Sequence, residues 1–367
     1  METPMKTWNA ELPPAADSPC MEKYITPSSV FLDLETTGFS SARNQIYMIG
    51  YAFQTDRKMC ITQLFAETPS EEKQVISAFL EFLTRYDTLI TFNGTGFDIP
   101  FLKSRCTLFH LPENLDTFRH IDIYKQISIC RNILKLPNLK QKTLEKFLDI
   151  SRDDVCSGKD LISVWSEYTK QPSEESCKFL KLHNYEDVAG MIPLLSLLSY
   201  PCFLEGNFQV SSWQQQDWES WEGTAGKELI LTLNLELPVP KPFSCTEGEI
   251  YLKGDRNQIK LRVPLYTGEL KYFYPNFKDY YYLPVEDMAV HKSLASFVDR
   301  NYRTQASAAT CYSKKSGRFL PQYRELFSPA LKKSYQDKVF WFELTEEFTD
   351  SEENLRQYAL HLLESLV

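Results

Sequence analysis

No Cys-x-x-Cys pair occurs in this chain of 367 residues, and its nine cysteines are an odd, scattered set. A zinc site or a disulfide frame is therefore not expected, and free thiols in a reducing cytoplasm are. No apolar run is long enough to cross a bilayer. Met1–Tyr24 is polar, carries Pro13 and Pro14, and lacks the basic-then-apolar order of a signal peptide. A positive surplus is also missing. The net charge of −9 removes any whole-molecule attraction for a polyanion, so nucleic acid would have to be held by a local basic patch or by metal ions. Gly94-Thr95-Gly96 lacks the third glycine of a dinucleotide fingerprint and is a poor match to a phosphate loop, which excludes both nucleotide-cofactor readings. There are no tandem repeats and no low-complexity tract.

What the chain does have is a short apolar run, Val30 to Leu34, interrupted by Asp33 and continued to Glu35. The run suits a strand buried in a sheet. Side chains at i and i+2 of a strand leave on one face, so both carboxylates point the same way. Two anions in an apolar setting repel each other and lose hydration, and neither cost is tolerated without compensation. A divalent cation is the usual compensation, and oxygen-only ligands favour Mg²⁺ or Mn²⁺ over zinc. The plain alternative is a solvated strand end with two ordinary acids. Further carboxylates elsewhere decide between them.

Gln45–Phe53 and Met59–Phe65 read as two more strands, joined by a hairpin at Thr55–Lys58. Thr68-Pro69-Ser70-Glu71 is a helix start, and Val75, Ile76, Phe79, Leu80 and Leu83 mark one face of that helix. Thr88–Phe92 is a fourth strand, followed by a glycine-rich turn that brings Asp98 to the start of the next helix. There an acid is favoured by the helix dipole, which is its bland reading. His120–Tyr124 is a fifth strand, and its Asp122 is read as a supporting carboxylate. Helices are expected at Lys142–Leu148, Lys159–Tyr168 and Glu174–Leu198. In the last, His183 and Asp187 stand at i and i+4 and share a face, and Pro193 is expected to kink it.

Three stretches in this order, Phe-Leu-Asp-Leu-Glu-Thr-Thr-Gly at 31–38, Thr-Phe-Asn-Gly-x-x-Phe-Asp-Ile-Pro at 91–100 and His-Asn-x-x-Asp-Val at 183–188, resemble the DEDD exonucleases of the DnaQ-like, ribonuclease H-like superfamily. The wording is most similar to the YprB-type branch, and the resemblance covers about residues 28 to 200. It implies a 3′–5′ exonuclease with two divalent cations, Mg²⁺ or Mn²⁺, held about 4 Å apart by Asp33, Glu35, Asp98 and Asp187. Asp33 would bridge both ions, Glu35 and Asp187 would complete one site, and Asp98 would serve the other through water. His183 would take a proton from the attacking water, an imidazole being suited to that near neutrality. The backbone of Thr36, Thr37 and Gly38, with Asn93, would position the terminal nucleotide, and Phe39 would stack on its base. One departure stands out. The family's His lies five residues before the last Asp and its Tyr variant four before, whereas here His183 lies four before.

The expected fold is thus α/β. Residues 1–27 form a tail, 28–200 a ribonuclease H-like mixed five-stranded sheet flanked by helices, 201–226 a linker and 227–367 a smaller C-terminal β-rich (α+β) domain. In that last part Leu229–Leu237, Glu249–Lys253, Gln258–Tyr266 and Glu269–Tyr274 alternate as strands, with turns at Gly254–Asn257 and Thr267-Gly268, followed by helices near Asp287–Val298 and Leu355–Leu366. Its aromatic cluster from Tyr272 to Tyr282 is read as the core of a small sheet, with a stacking platform for single strands as the alternative. Lys314, Lys315 and Arg318 are read as a solvated basic loop, with phosphate contacts as the alternative. The expected partner is nucleic acid, DNA or RNA, with no membrane. A structure-selective endonuclease on the same fold and a non-catalytic binding module are the rival functions.

Overall fold

The computed structural model describes every residue except 1–4, 13–17, 57, 155–157, 220–224 and 367. The chain divides into two compact units, Met1–Cys202 with Leu237–Lys241, and Phe203–Glu236 with Pro242–Val367.

The first unit is a mixed sheet built from β1 (Lys6–Glu11), β2 (Ser29–Thr36), β3 (Ile46–Thr55), β4 (Lys58–Phe65), β5 (Thr88–Thr91) and β6 (Arg119–Asp122), in the order β1-β4-β3-β2-β5-β6. β2, β3, β4 and β1 pair antiparallel, whereas β5 and β6 run parallel to β2. The sheet therefore has six strands rather than five. The extra one comes from the segment expected as a tail, where Lys6–Glu11 covers the free edge of β4 and Trp8 stacks on Phe65 at 5.5 Å. A helix, α1 (Pro19–Tyr24), also lies in that segment.

Alternation along β2 sorts the two faces. Val30, Leu32 and Leu34 pack with Val75, Ile76 and Phe79 of α2 (Glu72–Leu83) and Leu102 of α3 (Asp98–Phe109). Asp33 and Glu35 are out of phase with them. Short helices follow β6: α4 (Ile123–Ile127), α5 (Arg131–Leu134) and α6 (Gln141–Phe147), then α7 (Gly158–Tyr168) and α8 (Glu174–Leu194). The α-helical run stops at Leu194, one residue past Pro193, and tightens to a 3-10 turn at Leu195–Leu198. By length and composition the run Glu174–Leu204 is long and apolar enough to cross a membrane, which the sequence reading had excluded; 72% of its apolar window is buried inside the protein, as in a core helix. The eight described cysteines are free, and Cys156 lies outside the described residues.

The second unit is β-rich. A five-stranded sheet runs β14 (Phe340–Glu343), β13 (Tyr312–Gln322), β9 (Ile250–Phe273), β8 (Ala225–Glu247), β7 (Phe208–Glu219), beside a three-stranded sheet of β11 (Met288–His291), β10 (Tyr280–Leu283) and β12 (Thr304–Gln305). Residues 208–219 are thus a strand, not part of a linker. The four expected short strands are two long ones that turn at Gly248, whose φ is +56°. Gly254 and Gly268 lie inside β9, where an added Cβ would fall 2.2 Å from the Phe243 ring and 2.7 Å from the Tyr266 hydroxyl. They make room for rings instead of ending strands. The helix expected over Asp287–Val298 is only Lys292–Ala295, and Glu352–Glu364 closes the unit. Lys314 and Lys315 sit on β13, paired with Asp287 and Glu343, not in a loop. Tyr274, Phe277, Tyr280 and Tyr282 pack around Ala289, Ala306 and Cys311, as sheet core.

Candidate nuclease site

Three segments of the first unit deliver the acids. β2 supplies Asp33 and Glu35. The first residue of α3 supplies Asp98, whose Oδ1 accepts the Leu34 N–H at 3.1 Å, one step beyond the β2–β5 ladder that ends at Leu32 opposite Thr91. α8 supplies His183 and Asp187 on one face: His183 Nε2 lies 3.1 Å from Asp187 Oδ2 and 3.7 Å from Glu35 Oε1. Ligand-type atoms of Glu35, His183 and Asp187 all fall within 4.8 Å of one another. The i, i+4 spacing that departs from the family pattern therefore still brings His183 against Asp187.

The turn between β5 and α3 is held by Asp122. That buried carboxylate accepts from Asn93 N (2.9 Å), Thr95 N (3.0 Å) and the Thr95 hydroxyl (2.6 Å), and also caps α4 through Lys125 N. It is a supporting group, as expected. Asn93 takes a φ of +64° and leaves its side chain exposed. On the other side of β2, the Thr36 hydroxyl donates to Gly38 O and the Thr37 hydroxyl accepts from Gln45 N. The Thr36 hydroxyl proton and the Thr37 N–H, which donates to Gln45 O at 2.9 Å, are used inside the loop. Arg105 fixes the same loop, donating to Ser41 O at 3.0 Å and to Glu72, which in turn accepts Ile46 N. At its tip Phe39 is 75% exposed, with its ring edge-on to Phe97 at 6.2 Å.

Burial and mutual repulsion set the charge states. Burial first, then Asp187, Glu35 and Asp98, push the Asp33 carboxyl well above its usual range. Burial pushes Glu35 to about 8, and burial likewise lifts Asp98 to about 7. Asp187 goes the other way: against its burial, the hydrogen bond from His183 and the Arg152 guanidinium hold it below the ordinary value. For His183, burial opposes the proton, but Asp187, Glu35 and Asp154 outweigh it and raise the ring to about 9.

Asp154, Arg152 and Asn184 join this network without having been singled out as site residues from sequence, although Asn184 stands inside the motif at 183–188. Asp154 Oδ2 meets His183 Nδ1 at 2.6 Å and also the Lys142 amine at 2.7 Å. Its loop is anchored by Glu186, which accepts the N–H groups of Asp153 and Asp154 at 2.8 and 2.9 Å. Arg152 bridges Asp187 Oδ1 (2.6 Å) and the buried Glu145 of α6. Asn184 Nδ2 donates to Asp33 Oδ2 at 2.9 Å, while its own Oδ1 accepts from Gln63. It fits because residue 50 is glycine: a Cβ there would fall 2.1 Å from Asn184 Oδ1.

The family comparison matches this part of the chain: the RNase H superfamily model covers residues 30–199. These residues are an RNase H superfamily domain. Among curated proteins, an uncharacterised Bacillus subtilis protein, YprB, is 30% identical over 172 residues, which is 45% of this chain and 40% of that one. A DNA polymerase of Methanocaldococcus jannaschii is 39% identical over 49 residues, 13% of this chain and 3% of its own. The chain thus spans less than half the length of each relative. Among solved structures, a family B DNA polymerase from Pyrobaculum calidifontis overlaps 48% of this chain and 25% of its own with a TM-score of 0.39 at 16% identity. E. coli ExoI bound to single-stranded DNA and zinc overlaps 56% and 54% with a TM-score of 0.28 at 12% identity.

Proposed function

We propose that the RNase H domain is a metal-dependent exonuclease that hydrolyses phosphodiester bonds of single-stranded nucleic acid from the 3′ end, with His183 as general base. The observation that carries this is the meeting of Glu35, His183 and Asp187 within 4.8 Å, with Asp33 and Asp98 close enough for their charges to act on the same group. Carboxylates this crowded hold protons they would otherwise lose, and that is the condition an oxygen-preferring divalent cation relieves. The donor set fits Mg²⁺ or Mn²⁺, with Asp33, Glu35, Asp98 and Asp187 holding two such ions. Cations bound there would polarise a phosphodiester and make water more acidic.

The chain's own residues handle the proton and the strand. In the charged ring, both nitrogens of His183 donate, to Asp154 and to Asp187. When the ring gives up one proton, the Nδ1–H stays on Asp154 and Nε2 becomes the acceptor, aimed at Glu35 and Asp187. Asn184 fixes the orientation of Asp33. Backbone at Thr36–Gly38, the Asn93 amide and the Phe39 ring offer positions for a terminal nucleotide.

The test is cleavage of 5′-labelled single-stranded DNA and RNA with Mg²⁺ or Mn²⁺, comparing wild type with Asp33→Asn and His183→Ala. The expected product is a ladder shortening from the 3′ side, abolished by the first change and slowed about 10²–10⁴-fold by the second. Discrete mid-strand products would favour an endonuclease on this fold, and intact substrate under every condition a binding module.

A further inference from the structure

A cavity of about 350 Å³ opens beside the turn that carries Asn93, five residues from Asp98. Its walls are Phe92, Asn93, Tyr124, Arg131, Asn138 and Lys140, with the buried Leu139 between the last two. No acid lines it. The Phe92 and Tyr124 rings lie 5.9 Å apart, and the Arg131 guanidinium reaches the Tyr124 hydroxyl at 3.3 Å. Arg131 and Lys140 are exposed, and neither has a carboxylate partner among the described residues. The wall is also built to stay in place. Asn138 Oδ1 accepts both Lys140 N (3.0 Å) and the Thr143 hydroxyl (2.7 Å), which ties the loop to the start of α6.

The surrounding charge has the same bias. Residues 119–147 carry seven Lys and Arg against two acids. Both acids are used internally: Asp122 holds the Asn93 turn, and Glu145 is buried against Arg152. Lys142 pairs with Asp154 from outside the segment, and the surface is otherwise biased to basic residues, within a chain whose net charge is −9. Cations without acid partners beside aromatic faces suit a ligand that alternates phosphate and planar base.

We propose that this cavity is a subsite for the single strand upstream of its reacting end. One base stacks against Tyr124 and Phe92, and the adjoining phosphates sit on Arg131 and Lys140. The proposal deepens the nuclease reading and rests on it for the identity of the ligand. It gives the acidic chain a local positive track beside the Asn93 turn.

The experiment is fluorescence anisotropy with dye-labelled oligothymidylate and oligouridylate in excess EDTA, titrated with KCl, so that binding is read without turnover. Each phosphate contact on a single strand contributes about 0.7 to the slope of log K against log salt. Arg131→Ala combined with Lys140→Ala should therefore flatten the slope by about 1.4. Tyr124→Ala should weaken binding about tenfold with the slope unchanged, and Tyr124→Phe should restore the affinity. A thermal melt of each variant confirms folding. Wild type that binds this way but never cuts with any metal would remove the nuclease reading and leave the subsite standing. Cutting by wild type with affinity and slope unaltered in all the variants would overturn the subsite. So would polyglutamate binding as tightly as the oligonucleotides and responding to the same variants, because the patch would then read charge alone.

Discussion

His183 Nδ1 stands 2.6 Å from Asp154 Oδ2, a contact between two buried side chains 29 residues apart. It fixes which nitrogen of the ring keeps its proton, and so which one faces the acids. Asp154→Asn should lower kcat about 10- to 100-fold, the usual penalty for losing a group that orients a reacting histidine in a metal site. Asp154 is also one of the charges that raise the ring. Its removal should move the acid limb of the pH–rate profile to lower pH. A variant with reduced rate and an unmoved limb would leave Asp154 only a packing role.

Asp33→Asn separates activity from stability. The amide can still accept from Asn184, but it removes a carboxyl whose ionisation burial and three neighbouring acids disfavour. Cleavage should vanish while the chelated protein becomes more stable, each kcal/mol gained raising Tm by about 2–4 °C for a unit of this size. Loss of both activity and stability would argue that Asp33 is structural.

The same crowding predicts a pH trend. Glu35 rises from an ordinary 4.5 to about 8, Asp98 from 3.8 to about 7, and His183 from 6.5 to about 9. In each case the folded state keeps a proton that the unfolded chain has lost. The stability these protons confer is complete below the unfolded values and declines as pH rises through the folded ones. In EDTA, Tm should therefore fall between about pH 5 and pH 9. Saturating Mn²⁺ should flatten that fall, and calorimetry should detect proton release on metal binding near neutral pH. A Tm that rises with pH in EDTA would contradict the assignment.

Arg152 is the cation that two acids share. Its deletion leaves Glu145 buried without a charged partner, with only the Gln141 amide still donating to it, a loss of about 3–5 kcal/mol in pairs of this kind. Arg152→Ala should lower the urea midpoint sharply, and adding Glu145→Gln should recover part of the loss. If the double variant is no better than the single, the charge on Glu145 is not the source of the penalty.

Much of the candidate site could be read in sequence because its signals are local. Asp33 and Glu35 follow strand alternation, and His183 with Asp187 follows the helical repeat. Asp154 and Arg152 were invisible for the opposite reason: they sit in an irregular loop with no period, and only the packing of α6 and α8 gives them partners. Asn184 was quoted within its motif, but its role needs the gap at Gly50, on a strand far away in sequence. In the fold, β1 was missed because six alternating residues before a proline-rich stretch look like any polar terminus. The long β8–β9 pair was cut into pieces because Gly254 and Gly268 mimic turns when the rings above them are out of view.

The Asn184–Asp33 bond spans 151 residues of chain. A ribosome that has released only β2 and β3 has therefore made half of a charged cluster with nothing to face it. Until α8 emerges, the growing polypeptide carries the acids of β2 without the asparagine, histidine and aspartate that face them, so the candidate site is completed only late in synthesis of the first unit.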